Sequence, residues 1–183
     1  MSLPHALMVS LIEKSCSGYD LAQRFGKSIG FFWPASHQQI YRELAKMEAK
    51  GWVKSEAEEG SKTRKRIYHV LDDGVQELKR WVTESVDPIQ LREEFVVRLR
   101  ADAAIGPLGL ETELSRRAQI HQQKLETYQA IEKRDFLDKI KKDPSKNTRE
   151  LKIQHLILKT GIAYEENWLQ WCKDVGELLK EDS

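Results

Sequence analysis

The segment from Ser36 to Arg66 constrains the fold of this chain more than any other. It reads Ser36-His37-Gln38-Gln39-Ile40-Tyr41-Arg42-Glu43-Leu44 and continues to Met47. It stops at Gly51, restarts as Trp52-Val53, and ends in Lys62-Thr63-Arg64-Lys65-Arg66-Ile67-Tyr68. Ile40, Leu44 and Met47 recur at i, i+4 and i+7, one face of a helix. The opposite face carries Gln38, Gln39, Arg42 and Lys46. A helix with a polar, cationic outer face and a basic hairpin behind it suits entry into a DNA groove, with the hairpin on flanking phosphates. The pattern predicts a winged helix-turn-helix, with recognition helix 36–50 and basic wing 59–66.

The chain has 183 residues, room for one large or two small domains. Charged residues make up 32% and hydrophobic ones 40%, so a core can form beneath a heavily charged surface. Net charge is only +1. Residues 1–85 hold 13 Lys and Arg against 11 Asp and Glu; residues 86–183 hold 17 against 18. Overall charge therefore says nothing about nucleic acid, and only the cluster Lys62, Arg64, Lys65 and Arg66 does. Cys16 and Cys172 have no metal-ligand spacing and imply no disulfide framework. Two reduced, buried thiols in a cytoplasmic protein are expected. No apolar run reaches the roughly 18 residues of a membrane helix, and no signal-peptide pattern is present.

Leu3, Leu7, Leu11 and Ile12 mark a first helix over about Leu3–Glu13, and Ser15-Cys16-Ser17-Gly18 a break. A second helix opens at Gly18-Tyr19-Asp20, carries Leu21, Phe25 and Ile29, and ends at Gly30. Phe31-Phe32-Trp33-Pro34 forms an aromatic connector. Ser36 caps the third helix and Gly51 stops it. Trp52–Glu58 and Arg64–Leu71 alternate as two strands around the polar turn Glu59-Gly60-Ser61-Lys62. Asp72 caps a fourth helix, with Val75, Leu78, Trp81 and Val82 on one face. Trp33, Trp52 and Trp81 are expected in the core. Pro88 marks a linker.

Beyond it the pattern is wholly helical. A short helix over Arg92–Ala104 carries Phe95, Val96 and Leu99. A long one spans about Leu110 to Lys141, its heptad seam running Leu114, Ala118, His121, Leu125, Tyr128 and Glu132, with one polar lapse. A last helix, about Thr148 to Lys180, has two stripes. One is Leu151, His155, Leu158, Ile162, Leu169, Cys172 and Leu179; the other is Ile157, Tyr164, Trp168, Trp171, Val175 and Leu178. One neighbour needs one stripe. Two stripes on a helix of roughly 48 Å predict one neighbour from the same chain and one from a second copy. The expected class is mainly α: a winged helix-turn-helix with a two-stranded wing over 1–85, and a helical dimerisation domain over 86–183.

Several segments together resemble the PadR family of bacterial transcription regulators. They are Ser17-Gly18-Tyr19-Asp20-Leu21, Phe32-Trp33-x-Ala35-Ser36 through Leu44, Met47-Glu48-x-x-Gly51-Trp52-Val53 and Tyr68-x-Val70-x-Asp72-x-Gly74. Downstream, Leu91-Arg92-Glu93-Glu94-Phe95 and Gly161-Ile162-x-Tyr164-Glu165-x-x-Trp168-Leu169-x-Trp171-Cys172 resemble the longer subfamily, whose helical C-terminal domain is related to a virulence-gene activator. The wing lacks the proline that many relatives show. The resemblance implies a DNA-binding homodimer joined through its C-terminal helices.

Gln bonds adenine and Arg bonds guanine in the major groove, so Gln38, Gln39 and Arg42 are the base-reading candidates. Ser36 caps more than it reads. His37 either touches a phosphate or covers the helix end. Tyr41 is either core or a phosphate ligand, and the resemblance favours the phosphate. Lys62, Arg64, Lys65 and Arg66 would grip phosphates or the minor groove, with two or three engaged at once. Tyr164, Trp168 and Trp171 suit either dimer-core packing, which is favoured, or a pocket for an aromatic effector, as in some relatives. His121 and His155 lie on facing seams without a third metal ligand, so hydrogen-bonded histidines are expected. No cofactor is implied. Enzyme readings fail: no phosphate-binding glycine loop exists. Cys172 and His155 lie about 100° apart around one helix, no nucleophile–base pair. The rivals are a winged helix that binds protein, and an effector-gated regulator.

Overall fold

A computed structural model of the chain describes residues 2–26, 33–57, 65–88, 90 and 92–181. It falls into two units, Met1–Ile89 and Gln90–Ser183. The first unit holds α1 (Leu3–Glu13), β1 (Cys16–Ser17), α2 (Gly18–Gly26), α3 (His37–Ala49), β2 (Val53–Ala57), β3 (Arg66–Val70) and α4 (Asp72–Trp81). Its core is built where the apolar faces of three helices converge. Leu7, Met8 and Leu11 of α1 and Leu21 and Phe25 of α2 meet Ile40, Leu44 and Met47 of α3, all buried. Trp52 and Trp81 pack against this core; Trp33 is exposed, contrary to the expectation from its sequence.

Gly51 ends α3 because it takes φ +69°, a conformation L side chains rarely adopt. Its N–H then bonds the Glu48 carbonyl, and the Trp52 N–H bonds that of Met47 at 2.9 Å. That double closure turns the chain straight into β2. Strands β2 and β3 pair antiparallel in the register Val53↔Val70 to Ala57↔Arg66. Gly74 lets α4 come in close: a Cβ there would lie 2.3 Å from the Trp52 carbonyl oxygen.

Three local expectations change in this unit. Cys16–Ser17 is a strand, not a plain break, and pairs with β3 as Cys16↔Tyr68 and Ser17↔Ile67. The sheet therefore has three strands, in the order β1-β3-β2, because the hairpin leaves β3 an open edge for the chain leaving α1. Asp72 is the first residue of α4, after Leu71, and makes no side-chain cap; with Asp73 it places negative charge in the first turn. Val82 follows the last helical residue and is exposed. The end of the second helix at Ile29 and Gly30, Phe31 and Phe32, and the turn from Glu59 to Lys62 lie outside the described residues.

The second unit holds α5 (Glu94–Ile105), α6 (Glu111–Ile131), α7 (Asp138–Lys142) and α8 (Arg149–Glu181). Phe95 is buried completely among Leu114, Cys172 and Val175, with Leu99, Trp168 and Trp171 against it. Val96, expected beside it, is exposed. The long helix is not continuous: a π-helical segment, Glu132–Leu137, separates α6 from α7. Glu132 opens that segment on the side toward α8, where it meets His155, and Phe136, four residues on, is buried against the same histidine ring. On α8 the first stripe buries Leu151, Leu158, Ile162 and Cys172. The second stripe divides: Val175 is buried and Trp168 and Trp171 pack on that core, while Ile157, Tyr164 and Leu178 face outward.

Candidate nucleic-acid interface

Because Ile40, Leu44 and Met47 are buried, the rest of α3 is fixed in rotation. Gln38, Tyr41, Arg42 and Ala45 point outward, all exposed. Gln38 and Arg42 are four apart and stand one above the other on one face. Ser36 caps the helix: its hydroxyl accepts from the Gln39 N–H at 3.2 Å. The Gln39 side-chain oxygen returns the bond, accepting from the Ser36 N–H at 2.8 Å. This capping box occupies the oxygen Gln39 would need for bidentate reading of adenine. Gln39 is thus seated as a cap, while Gln38 and Arg42 stand exposed on the outer face. Lys46 is paired with Glu43 at 2.7 Å.

Tyr41 is 44% exposed and not core. Its ring lies on Gly18, where a Cβ would approach within 2.6 Å. Tyr19, at the start of α2, is more exposed still and meets the His37 ring edge-on at 6.5 Å. The first turns of α2 and α3 thus present Tyr19, His37 and Tyr41 together. Tyr19 escaped the reading of single sites; its signal was the Gly18-Tyr19-Asp20 segment, which needs glycine where Tyr41 lies.

The wing is tied to both helices. Glu48, near the end of α3, accepts from the Ser55 N–H at 2.8 Å and the Ser55 hydroxyl at 2.6 Å. Arg66 donates through Nε to the Ser55 hydroxyl oxygen at 2.7 Å and through Nη2 to the Ser55 carbonyl at 2.8 Å. Arg66 therefore belongs to a chain running from α3 through β2 to β3. Lys65 pairs with Asp20 of α2 at 3.0 Å. Asp20 also accepts from the Ser17 hydroxyl, and these two partners, Ser17 first, hold its carboxyl below the usual range. Lys62 and Arg64 lie outside the described residues.

In the second unit the three aromatic candidates separate by role. Trp171 packs edge-on against Phe95 at 6.0 Å, at the edge of the core. Trp168 stacks on His121 at 5.0 Å with the rings nearly parallel, and Tyr164 points outward. His121 Nδ1 lies 2.5 Å from Oε2 of the buried Glu165. His155 Nε2 lies 2.6 Å from Glu132 Oε1, and its ring stacks on Phe136. Each histidine is therefore held by a glutamate across the two long helices. Among the described residues no group of three or more His, Cys, Asp or Glu is arranged to hold a metal. Cys16 and Cys172 are buried free thiols, and burial raises both above their usual range.

Residues 7–80 match the model of the transcriptional regulator PadR-like family, and residues 91–180 match that of the virulence activator alpha C-terminal region. A probable transcriptional regulator of Mycobacterium tuberculosis is 37% identical over 192 residues, covering 99% of both chains. The chain belongs to the PadR-like family of transcriptional regulators. This family is one of regulators, not enzymes. The fold of a PadR-like protein with a virulence-activator-type C-terminal part is borne out by solved structures. The Vibrio cholerae virulence activator AphA superposes with a TM-score of 0.81 at 27% identity, covering 100% of both chains. Bacillus subtilis PadR, solved in complex with operator DNA, does so at 0.78 and 24% identity, covering 98% of this chain and 99% of that one. No described helix of the present PadR-like chain is long and apolar enough to cross a membrane.

The Arg66 contacts generate a test. Replacing Arg66 with Ala removes two charge-assisted hydrogen bonds and should cost about 1–2 kcal/mol of stability. Thermal unfolding should show a lower Tm, and the log-affinity against log-salt slope for DNA should stay near its original value. An unchanged Tm with a slope shallower by about one unit would instead make Arg66 a phosphate ligand.

Proposed function

We propose that this PadR-like regulator acts as a cytoplasmic homodimer that binds an approximately two-fold operator in double-stranded DNA. Residues 1–85 form the DNA-binding part and 86–183 the dimerisation part. The observation that carries this reading is the outward face of α3. Its burial pattern leaves Gln38 and Arg42 facing solvent beside a cap that secures the helix N-terminus. In helix-turn-helix proteins it is the N-terminal half of this helix that meets base edges. Gln38 and Arg42 read bases. His37 and Tyr41 hold phosphates next to the groove, joined by wing cations Lys62, Arg64 and Lys65. Gln39 and Ser36 fix the helix end, and Arg66 fixes the wing.

Dimerisation through α8 is supported by its exposed apolar side chains. Ile153, Leu156, Ile157, Tyr164 and Leu178 all face outward from a helix of 33 residues. A second copy laid along this face would cover them. Two heads joined in this way gain effective concentration on a two-fold site.

A second reading adds an effector. The His121–Trp168 stack beside outward Tyr164 offers a flat aromatic surface next to a buried carboxylate. Bacillus subtilis PadR, 23% identical in that comparison, has been solved with p-coumaric acid. Titration of hydroxycinnamic acids should quench tryptophan fluorescence and release DNA together; unchanged fluorescence and unchanged DNA binding at millimolar acid would remove this reading.

The main reading is tested by selecting an operator from a randomised duplex library and measuring affinity by fluorescence anisotropy. Light scattering should give twice the 21.3 kDa chain mass. Gln38→Ala or Arg42→Ala should cost about 1–3 kcal/mol on the operator and less on random duplex. Selection that yields no preferred sequence, with both substitutions silent, would favour a winged helix that binds protein.

A further inference from the structure

We propose that Gly18 is a positioning residue for DNA binding: by presenting no side chain it seats the Tyr41 ring so that the Tyr41 hydroxyl meets a phosphate beside the groove. The inference rests on the DNA-binding reading above, which gives Tyr41 a phosphate and gives Gly18 no part.

The backbone does not demand glycine at this position. Among the described glycines, those with positive φ are Gly51, Gly106 and Gly109, so alanine can adopt the Gly18 conformation. Helix formation does not ask for it either: Gly18 opens α2, and glycine is a poorer helix former than alanine. What glycine supplies is the missing Cβ. A Cβ there would lie 2.6 Å from Cε1 of Tyr41, 3.2 Å from its Cζ and 3.3 Å from its Cδ1. The three nearest atoms all belong to that one ring, so the vacated space serves Tyr41 in particular.

Both sides of the contact are held by other elements. Gly18 follows β1, which is locked to β3 in the register Cys16↔Tyr68 and Ser17↔Ile67. The Ser17 hydroxyl also accepts from the Asp20 N–H at 3.2 Å, fixing the first turn of α2. Tyr41 hangs from α3, whose rotation is set by buried Ile40 and Leu44. Gly18 is buried and the Tyr41 ring is half-exposed, lining a hollow with Tyr19, Lys65 and Tyr68. An added Cβ would therefore move the ring and leave the sheet in place. Cε1 must retreat from 2.6 Å to at least the 3.4 Å of ordinary contact. The hydroxyl lies further from the backbone than Cε1, so a swing of the side chain carries it further still. A hydrogen bond between hydroxyl and phosphate oxygen spans only about 2.5–3.0 Å and does not survive such a shift unchanged.

Gly18→Ala tests this, alone and combined with Tyr41→Phe or Tyr41→Ala, with affinity read by anisotropy on the selected operator and on random duplex across a salt series. Gly18→Ala should weaken binding roughly three- to tenfold, by a similar factor on both duplexes, because a phosphate contact carries no sequence information. Tyr41→Phe, which removes only the hydroxyl, should weaken binding to a similar extent. The salt slope should stay the same, since the lost donor is uncharged. In either Tyr41 background Gly18→Ala should cost little further affinity, as a double-mutant cycle reads directly. The melting temperature of Gly18→Ala in the Tyr41→Ala background, where the ring is gone, should match that of Tyr41→Ala. Undiminished affinity of Gly18→Ala, an equal loss with and without the Tyr41 ring, a silent Tyr41→Phe, or a melting temperature lowered even without the ring would each overturn the proposal. Failure of the unsubstituted protein to bind either duplex in a salt-dependent way would instead sink the DNA-binding reading, and this proposal with it.

Discussion

Burial of one face of α3 is the constraint on which the DNA-binding unit depends. Ile40, Leu44 and Met47 are each at most 1% exposed, packed on Leu7, Leu11, Leu21 and Phe25. Each such side chain contributes roughly 1.5–3 kcal/mol, so rotating the helix about its axis would forfeit several kcal/mol at once. The seam therefore aims Gln38 and Arg42 as firmly as it stabilises the core. The ends of the helix are settled just as locally, by the Ser36–Gln39 box at one side and the Gly51 turn at the other. A reading head needs this rigidity, because hydrogen bonds to base edges tolerate little displacement.

Positive charge near the wing divides into two kinds. Arg66 is joined through Ser55 to Glu48, so it carries the position of α3 into the hairpin. Lys65 is joined to Asp20 and carries the position of α2 into the wing root. Both contacts set the wing angle relative to the helix that it flanks. A count of basic residues overstates the charge available to phosphates, since part of it is already answered inside the protein. The second unit uses polar pairs in the same way: His121–Glu165 and His155–Glu132 tie α8 to the preceding helical hairpin arm at two heights.

How much of this was legible in the sequence follows from the range of each interaction. The seam of α3, its cap at Ser36 and its stop at Gly51 each rest on residues whose successive spacing is at most five positions, and they read correctly. The heptad from Leu114 to Tyr128 read correctly too, and Glu132, the next position on the seam, is where the π segment begins. Strand β1 was not legible, because two residues show no alternation; only the open edge of β3 makes Cys16–Ser17 a strand. The engagement of Arg66 with Ser55, 11 positions away, and of Lys65 with Asp20 belongs to tertiary structure, so the sequence, which allowed at most two or three of the four cations to reach DNA, could not say which. Gln39 was legible as part of a helix start, yet its polar type drew it into the reading set. On α8 the two stripes were visible, but which residues of the second stripe turn inward depended on Phe95 of α5.

In the proposed complex α3 lies in the major groove with its N-terminal half toward the bases. Methylation interference on the selected operator tests it most directly. Dimethyl sulfate marks guanine N7, which faces the major groove, and adenine N3, which faces the minor groove. Guanine N7 methylation should block binding in two symmetric patches about one helical turn or a multiple apart. Interference confined to adenine N3, or none at any base while binding persists, would contradict it.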